Sequence, residues 1–122
     1  MKRFHASILG CIFIAATLTA PLAAAHIAIK QTTPAADAML AVAPPEILLT
    51  FTEKIEPAFS SASLKDARGA DISAAKSRVD ASDPATLRLA PPTLTPGVYG
   101  VQWTAVGRDG HRRTGDFKFT VT

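Results

Sequence analysis

Sulfur and aromatic residues are scarce in this chain of 122 residues. It contains one cysteine, Cys11, two methionines, one tryptophan and one tyrosine. Cys11 falls within the first 25 residues, so a domain that begins after them has no cysteine. Such a domain cannot form disulfides or thiolate metal sites, and its only methionine is Met39.

A hydrophobic run long enough to cross a membrane is also lacking. The apolar stretch from Ile8 to Leu18 is shorter than the ~20 residues that a spanning helix needs. Lys2 and Arg3 precede this stretch and Ala23-Ala24-Ala25 follows it, which is the pattern of a cleaved signal peptide. We predict a signal peptide over residues 1–25, an exported domain over 26–122, and no stable membrane insertion after cleavage. Lipid attachment at Cys11 is disfavoured because Cys11 lies inside the apolar stretch.

The predicted domain carries little net charge. The chain has 13 Lys and Arg against 10 Asp and Glu, a formal charge of +3. Loss of Lys2 and Arg3 with the leader leaves 11 against 10, or +1. This balance gives no indication of nucleic-acid binding. The remaining length is enough for one domain with one core.

Alternation of apolar and polar residues predicts strands throughout the domain. Ile47, Leu49 and Phe51 fall on one face of a strand, and Thr86–Leu89, Val98–Val106 and Phe117–Val121 alternate likewise. Turn signals rich in proline and glycine separate these segments. The pattern predicts an all-β fold, an antiparallel Greek-key β-sandwich or barrel of about seven strands.

Two histidines remain in the predicted domain, and their positions suggest a metal site. Cleavage after Ala25 makes His26 the first residue, so that a free amine and an imidazole belong to the same residue. His111 lies two residues after Asp109, and alternate residues of an extended segment point to the same side. Asp109-Gly110 is also a common hairpin turn, and taken alone it favours that simpler interpretation.

The ligands His26, Asp109 and His111 together suit Cu(II). They supply three nitrogens and one carboxylate oxygen, which can complete a tetragonal plane, and copper binds such sites most tightly among the divalent ions. An N-terminal histidine chelates through its amine and Nδ1, so one ordered residue supplies two of the bonds. Zinc is the second choice of metal.

The domain resembles the CopC-type periplasmic copper-resistance proteins, including YobA-like proteins, along its whole length. The segments that carry the resemblance are His26, Thr33-Pro34-Ala35 with Asp37, Ala43-Pro44-Pro45, Leu49-Thr50-Phe51-Thr52-Glu53, Leu94 to Tyr99 with Val101 and Trp103, Asp109-Gly110-His111, Gly115 and Phe117 to Val121.

The resemblance implies a cupredoxin-like or immunoglobulin-like sandwich that binds one Cu(II) through His26, Asp109 and His111. It also implies that Glu53 is a candidate outer ligand or a base hydrogen-bonded to a ligand, although a solvent-facing role fits Glu53 equally well. A CopD-type inner-membrane protein is the implied partner, and we expect a monomer. Some members carry a methionine-rich loop for Cu(I), whereas Phe59 through Val79 contains no Met, His or Cys.

Three functions remain open from the sequence. The first, which we favour, is a non-enzymatic Cu(II) carrier or buffer in copper homeostasis or resistance. The second is a copper oxidase or oxygenase, because paired histidines that include an N-terminal one also form a histidine-brace site. Asp109 argues against it, since it would occupy a position that catalysis keeps open. The third is a structural sandwich module without metal.

Overall fold

The computed structural model describes residues 10, 12, 14 and 26–122. The predicted signal peptide, its cleavage site and Cys11 therefore lie outside the described residues, apart from those three positions. Within the described part of the chain, no helix has the length and apolar character needed to span a bilayer.

The described residues form eight strands in two four-stranded sheets. One sheet has the order β1-β3-β6-β5 and the other β2-β8-β7-β4. The strands are β1 (Ile29–Thr33), β2 (Met39–Leu40), β3 (Ile47–Phe51), β4 (Ser61–Lys65), β5 (Arg78–Val79), β6 (Thr86–Leu89), β7 (Gly97–Val106) and β8 (Arg112–Val121).

The core lies between the two sheets and is built by the alternation that the sequence predicts. Ile47, Leu49 and Phe51 of β3 are at most 2% exposed. The facing sheet contributes buried side chains from β4, β7 and β8, namely Leu64, Tyr99, Val101, Ala105, Phe119 and Val121. Burial of these apolar surfaces is the main stabilising contribution to the fold. The predicted all-β sandwich is confirmed.

The strand count and one pairing go beyond the prediction of about seven antiparallel strands. β2 and β5 are two residues each, too short to produce an alternating pattern. β2 pairs with β8 in parallel, with Met39 beside Thr120, whereas the other strand pairs are antiparallel.

One end of the sandwich is organised by the long β7–β8 hairpin. Its register runs from Gly97 opposite Val121 to Val106 opposite Arg112, and the loop 107–111 closes it. A bridge between Ile55 and Gly107 ties this loop to the segment that follows β3. The loop, the end of β3 and the start of β1 therefore meet at the same end of the molecule.

The segment after β4 covers the outer edge of that strand. The Ala62 amide donates to Ser77 Oγ at 2.8 Å, and the Leu64 amide donates to Ser73 Oγ at 2.9 Å. These hydroxyls occupy edge amides that would otherwise be free to pair with another chain. The segment that contains Ser73 and Ser77, within the stretch from Phe59 through Val79, thus covers the edge of the sheet.

Candidate metal centre

The loop between β7 and β8 holds Asp109 and His111 together. Asp109 Oδ1 accepts a hydrogen bond from the His111 amide at 3.0 Å, and Asp109 Oδ2 lies 2.9 Å from His111 Nδ1. Gly110 takes a φ of 80°, which a residue with a Cβ rarely adopts. Asp109-Gly110 is therefore part of a hairpin turn as well as part of the candidate site.

The hydrogen bonds to Asp109 fix its charge. They lower the pKa of the carboxyl group, with the backbone N–H of His111 as the largest cause and the His111 side chain next. The ionised carboxylate can only accept, so in the neutral imidazole Nδ1 carries the hydrogen and Nε2 keeps its lone pair. Asp109 thereby orients His111 with Nε2 available to an ion.

His26 lies beside His111. The centroids of the two rings are 6.1 Å apart, and their planes are inclined by 41°. With metal–nitrogen bonds of about 2 Å, two imidazoles on opposite sides of one ion have ring centres roughly 6 Å apart. The separation therefore fits an ion between the rings. The side chain of His111 is 63% exposed and His26 is also exposed, so an ion can reach both.

The predicted ligands form two pairs that share His111. Within residues 26–122 and the three isolated positions, no cluster of three or more His, Cys, Asp or Glu side chains is assembled as a metal site. In the full-length chain the nitrogen of His26 is an amide bonded to Ala25, and cleavage would turn it into an amine donor. The donor set fits Cu(II) once that amine is present.

Glu53 is not brought into hydrogen-bonding contact with these ligands. It follows β3 at the same end of the sandwich and is partly buried. Its side chain makes no hydrogen bond or ion pair with the other residues that the structure describes.

Gly107 leaves space beside the site. A Cβ on Gly107 would lie 3.2 Å from Asp109 Oδ1 and 3.9 Å from the Cβ of Ile27. A side chain at residue 107 would therefore press on the carboxylate that orients His111.

The residues that hold the segment before β1 were not identified from the sequence. The side chain of Ile27 is 2% exposed, and its carbonyl accepts a hydrogen bond from Arg113 Nη1 at 3.2 Å. Arg113 follows His111 by two residues, a spacing that would place both side chains on one face of an extended strand. That spacing is the one signal in the sequence that could have indicated Arg113.

Comparison with known proteins relates the chain to copper resistance proteins. The family model for the CopC domain matches residues 29–122. Protein YobA of Escherichia coli K12 is 33% identical over 107 residues, which cover 86% of each chain. Copper resistance protein C of Pseudomonas syringae pv. tomato is 34% identical over 116 residues, covering 90% of this chain and 91% of the other.

Solved structures agree with the sequence relatives. CopC from Methylosinus trichosporium OB3b superposes with a TM-score of 0.73 at 32% identity, covering 79% of this chain and 93% of that one. PcoC, a methionine-rich copper resistance protein from Escherichia coli, superposes with a TM-score of 0.70 at 37% identity, covering 80% and 100%. The chain belongs to the CopC family of copper resistance proteins.

Proposed function

We propose that residues 26–122, released by cleavage after Ala25, bind one Cu(II) and carry or buffer copper in the periplasm. The observation that carries this proposal is the approach of the His26 and His111 rings at the end of the sandwich where Asp109 orients His111. The copper-resistance relatives support copper as the cargo.

Each ligand has a distinct part in this proposal. His26 supplies its amine and Nδ1, His111 supplies Nε2, and Asp109 supplies a carboxylate oxygen that offsets part of the ion's charge. To bind the ion held by Nε2, Asp109 gives up its 2.9 Å hydrogen bond to His111 Nδ1, because the two ring nitrogens point to opposite sides of the imidazole. Three nitrogens and one oxygen fill the tetragonal plane that Cu(II) prefers.

We further propose that the site holds Cu(II) rather than Cu(I). Cu(I) favours thiolate and thioether ligands, and after cleavage the chain has Met39 alone. Met39 is 73% exposed in β2, which pairs with Thr120 near the end of β8, whereas His111 precedes the start of that strand. The stretch from Phe59 through Val79 offers no soft ligand either.

The proposed role is that of a non-enzymatic monomer. With Asp109 in the ligand plane, no position in that plane stays open for a reacting molecule. By resemblance to the family, we propose a CopD-type inner-membrane protein as the copper acceptor.

The test is a Cu(II) titration of two chains, one that begins at His26 and one that begins at Ala25. The first should bind one Cu(II) and give a tetragonal EPR spectrum dominated by nitrogen. The second has an amide where the first has an amine, so its affinity should fall by orders of magnitude while its circular dichroism spectrum stays unchanged. Equal affinities with identical EPR spectra would exclude the His26 amine as a ligand, and absence of binding by the first chain would overturn the proposal.

Oxidation-state selectivity is tested by reduction. With ascorbate and a competing Cu(I) chelator, copper should leave the protein completely and the folded sandwich should remain. Stoichiometric retention of Cu(I) against the chelator would contradict a site restricted to Cu(II).

A further inference from the structure

The segment that joins His26 to β1 is held by four contacts. The side chain of Ile27 is buried in the core. The Ala28 amide donates to Thr52 Oγ1 at 3.1 Å, and the Thr52 amide donates to the Ala28 carbonyl at 2.9 Å. Arg113 Nη1 donates to the Ile27 carbonyl at 3.2 Å. The polypeptide is therefore fixed at the two residues that follow His26.

The side chains of Arg113 and its neighbour Arg112 lie on different faces of β8. Arg113 lies opposite Ala105 in β8 and reaches the segment before β1. Arg112 lies opposite Val106 and lines an open groove with Phe59 and Arg108. Successive side chains of a strand point to opposite faces, which explains the difference. The side chain of Arg112 makes no hydrogen bond or ion pair within the described part of the chain.

We propose that Arg113 is a positioning residue for the candidate copper site. By binding the Ile27 carbonyl, its guanidinium fixes the main chain next to His26 and keeps the His26 ring beside His111. This inference rests on the proposed function, in which His26 supplies two of the ligands. An ordered segment lowers the entropic cost of bringing those ligands to the ion.

Positioning and charge have opposite effects on copper affinity. A positive guanidinium repels a divalent cation, so loss of charge alone would strengthen binding slightly in water. Loss of the contact with Ile27 would weaken binding, because His26 would have to be ordered when the ion binds. The direction of the change in a variant therefore shows which effect dominates.

The test compares Arg113→Ala with Arg112→Ala in chains that begin at His26. Both variants lose one positive charge, but the first alone loses a bond to the segment before β1. We expect Cu(II) affinity to fall roughly tenfold in Arg113→Ala and to stay unchanged or rise slightly in Arg112→Ala. Arg113→Lys keeps the charge and one donor group, and it should recover part of the loss.

Thr52→Val provides a second variant that leaves every charge in place. It removes the oxygen that accepts the Ala28 amide hydrogen bond while preserving side-chain volume. Affinity should again fall, with the thermal midpoint within a few degrees of the parent protein. This variant keeps the idea testable if Arg113→Ala does not fold.

A measurement without copper separates this inference from the proposed function. Hydrogen exchange of the Ala28 amide in the copper-free protein should quicken in Arg113→Ala and not in Arg112→Ala. Failure of the parent to bind Cu(II) would overturn the proposed function, whereas this exchange result would still test the contact. Unchanged exchange and affinity in Arg113→Ala, or equal effects in the two arginine variants, would overturn the role of Arg113.

Discussion

Two polar clusters, one at the end of the sandwich and one on a single sheet, use similar residues for different purposes. In the sheet β1-β3-β6-β5, Arg88 binds both oxygens of Glu46 at 2.7 and 2.9 Å through Nη1, and Asp80 Oδ2 at 2.7 Å through Nε. At the end of the sandwich, Asp109 and His111 bind mainly each other, and the His26 ring lies beside them.

The difference lies in what each cluster leaves free. Glu46 and Asp80 flank a guanidinium that has no lone pair to offer, so the Arg88 cluster is complete without an ion. The His111 ring keeps Nε2 free and is 63% exposed, and the ring of His26 is exposed beside it. A polar cluster is a candidate metal site when it combines charge with an accessible, unused donor.

The comparison of the two clusters is tested most strongly by removing the unused donor, Nε2 of His111. His111→Ala in the chain that begins at His26 should lower Cu(II) affinity by at least about 100-fold, because one nitrogen ligand is lost and Asp109 loses its partner. The thermal midpoint should hardly change, since the ring is mostly exposed. Isothermal titration and thermal denaturation measure the two effects. An unchanged affinity would remove His111 from the site.

Disruption of the cluster of Arg88, Glu46 and Asp80, which we call the closed cluster, should have the opposite effects. Arg88→Leu leaves Glu46 and Asp80 without their cation, and we expect the thermal midpoint to fall by several degrees. Copper affinity should be unchanged because Arg88 lies away from the candidate site. Circular dichroism at increasing temperature measures the first effect and titration the second.

The matched control for Arg88→Leu is Lys65→Gln. Lys65 pairs with Asp71 at 3.7 Å, and because the Asp71 side chain is 52% exposed, this ion pair contributes little to stability. The thermal midpoint of Lys65→Gln should stay within measurement error of that of the parent protein. Equal losses in both variants would mean that the closed cluster is no more important than a surface ion pair.

The sequence predicts the sandwich well because its long strands alternate clearly. Ile47, Leu49 and Phe51 were expected on one face, and all three are buried. Tyr99 and Phe119 are buried as expected, while Trp103 is only partly buried against the core. The two-residue strands β2 and β5 could not be predicted, because their formation depends on pairing with β8 and β6 rather than on a local pattern.

The sequence indicates which residues could form the candidate site, but it does not reveal the contacts that position them. The rarity of histidine and the position of His26 suggest the donors, and the structure places the His26 ring beside His111. The hydrogen bond from Arg113 to the Ile27 carbonyl joins residues 86 positions apart, so the spacing from His111 could indicate Arg113 but not its partner. The orientation of His111 by Asp109 likewise depends on the loop geometry around Gly110.

Acid denaturation should reflect the closed cluster. The backbone N–H of Ser82, followed by Arg88, lowers the pKa of Asp80 to about 2. Its pKa in the unfolded chain is about 3.9, so its stabilising contribution is complete above about pH 4 and is lost as the pH falls through about 2. Asp80→Asn should be less stable at neutral pH and should lose less stability than the parent between those values.

The cluster of Asp109, His111 and His26, which we call the open cluster, provides the comparison for that acid response. Asp109 accepts hydrogen bonds from the backbone and side chain of His111, and its pKa is also lowered. Asp109→Asn should therefore change the acid response in the same direction as Asp80→Asn but by less. Urea denaturation at a series of pH values measures both variants, and a larger effect in Asp109→Asn would contradict the ranking of the two clusters.

The smallest expected effect concerns Glu53, which lies at the same end as the open cluster. Glu53→Gln should lower Cu(II) affinity by less than about fivefold, because the loss of a partly solvated charge costs about 1 kcal/mol or less. Glu56→Gln is the matched control, since Glu56 also follows β3 and its amide donates to the Val106 carbonyl at 2.8 Å. Equal small losses would show that both carboxylates act through general charge. A much larger loss in Glu53→Gln, with a changed EPR spectrum, would make Glu53 an additional copper ligand.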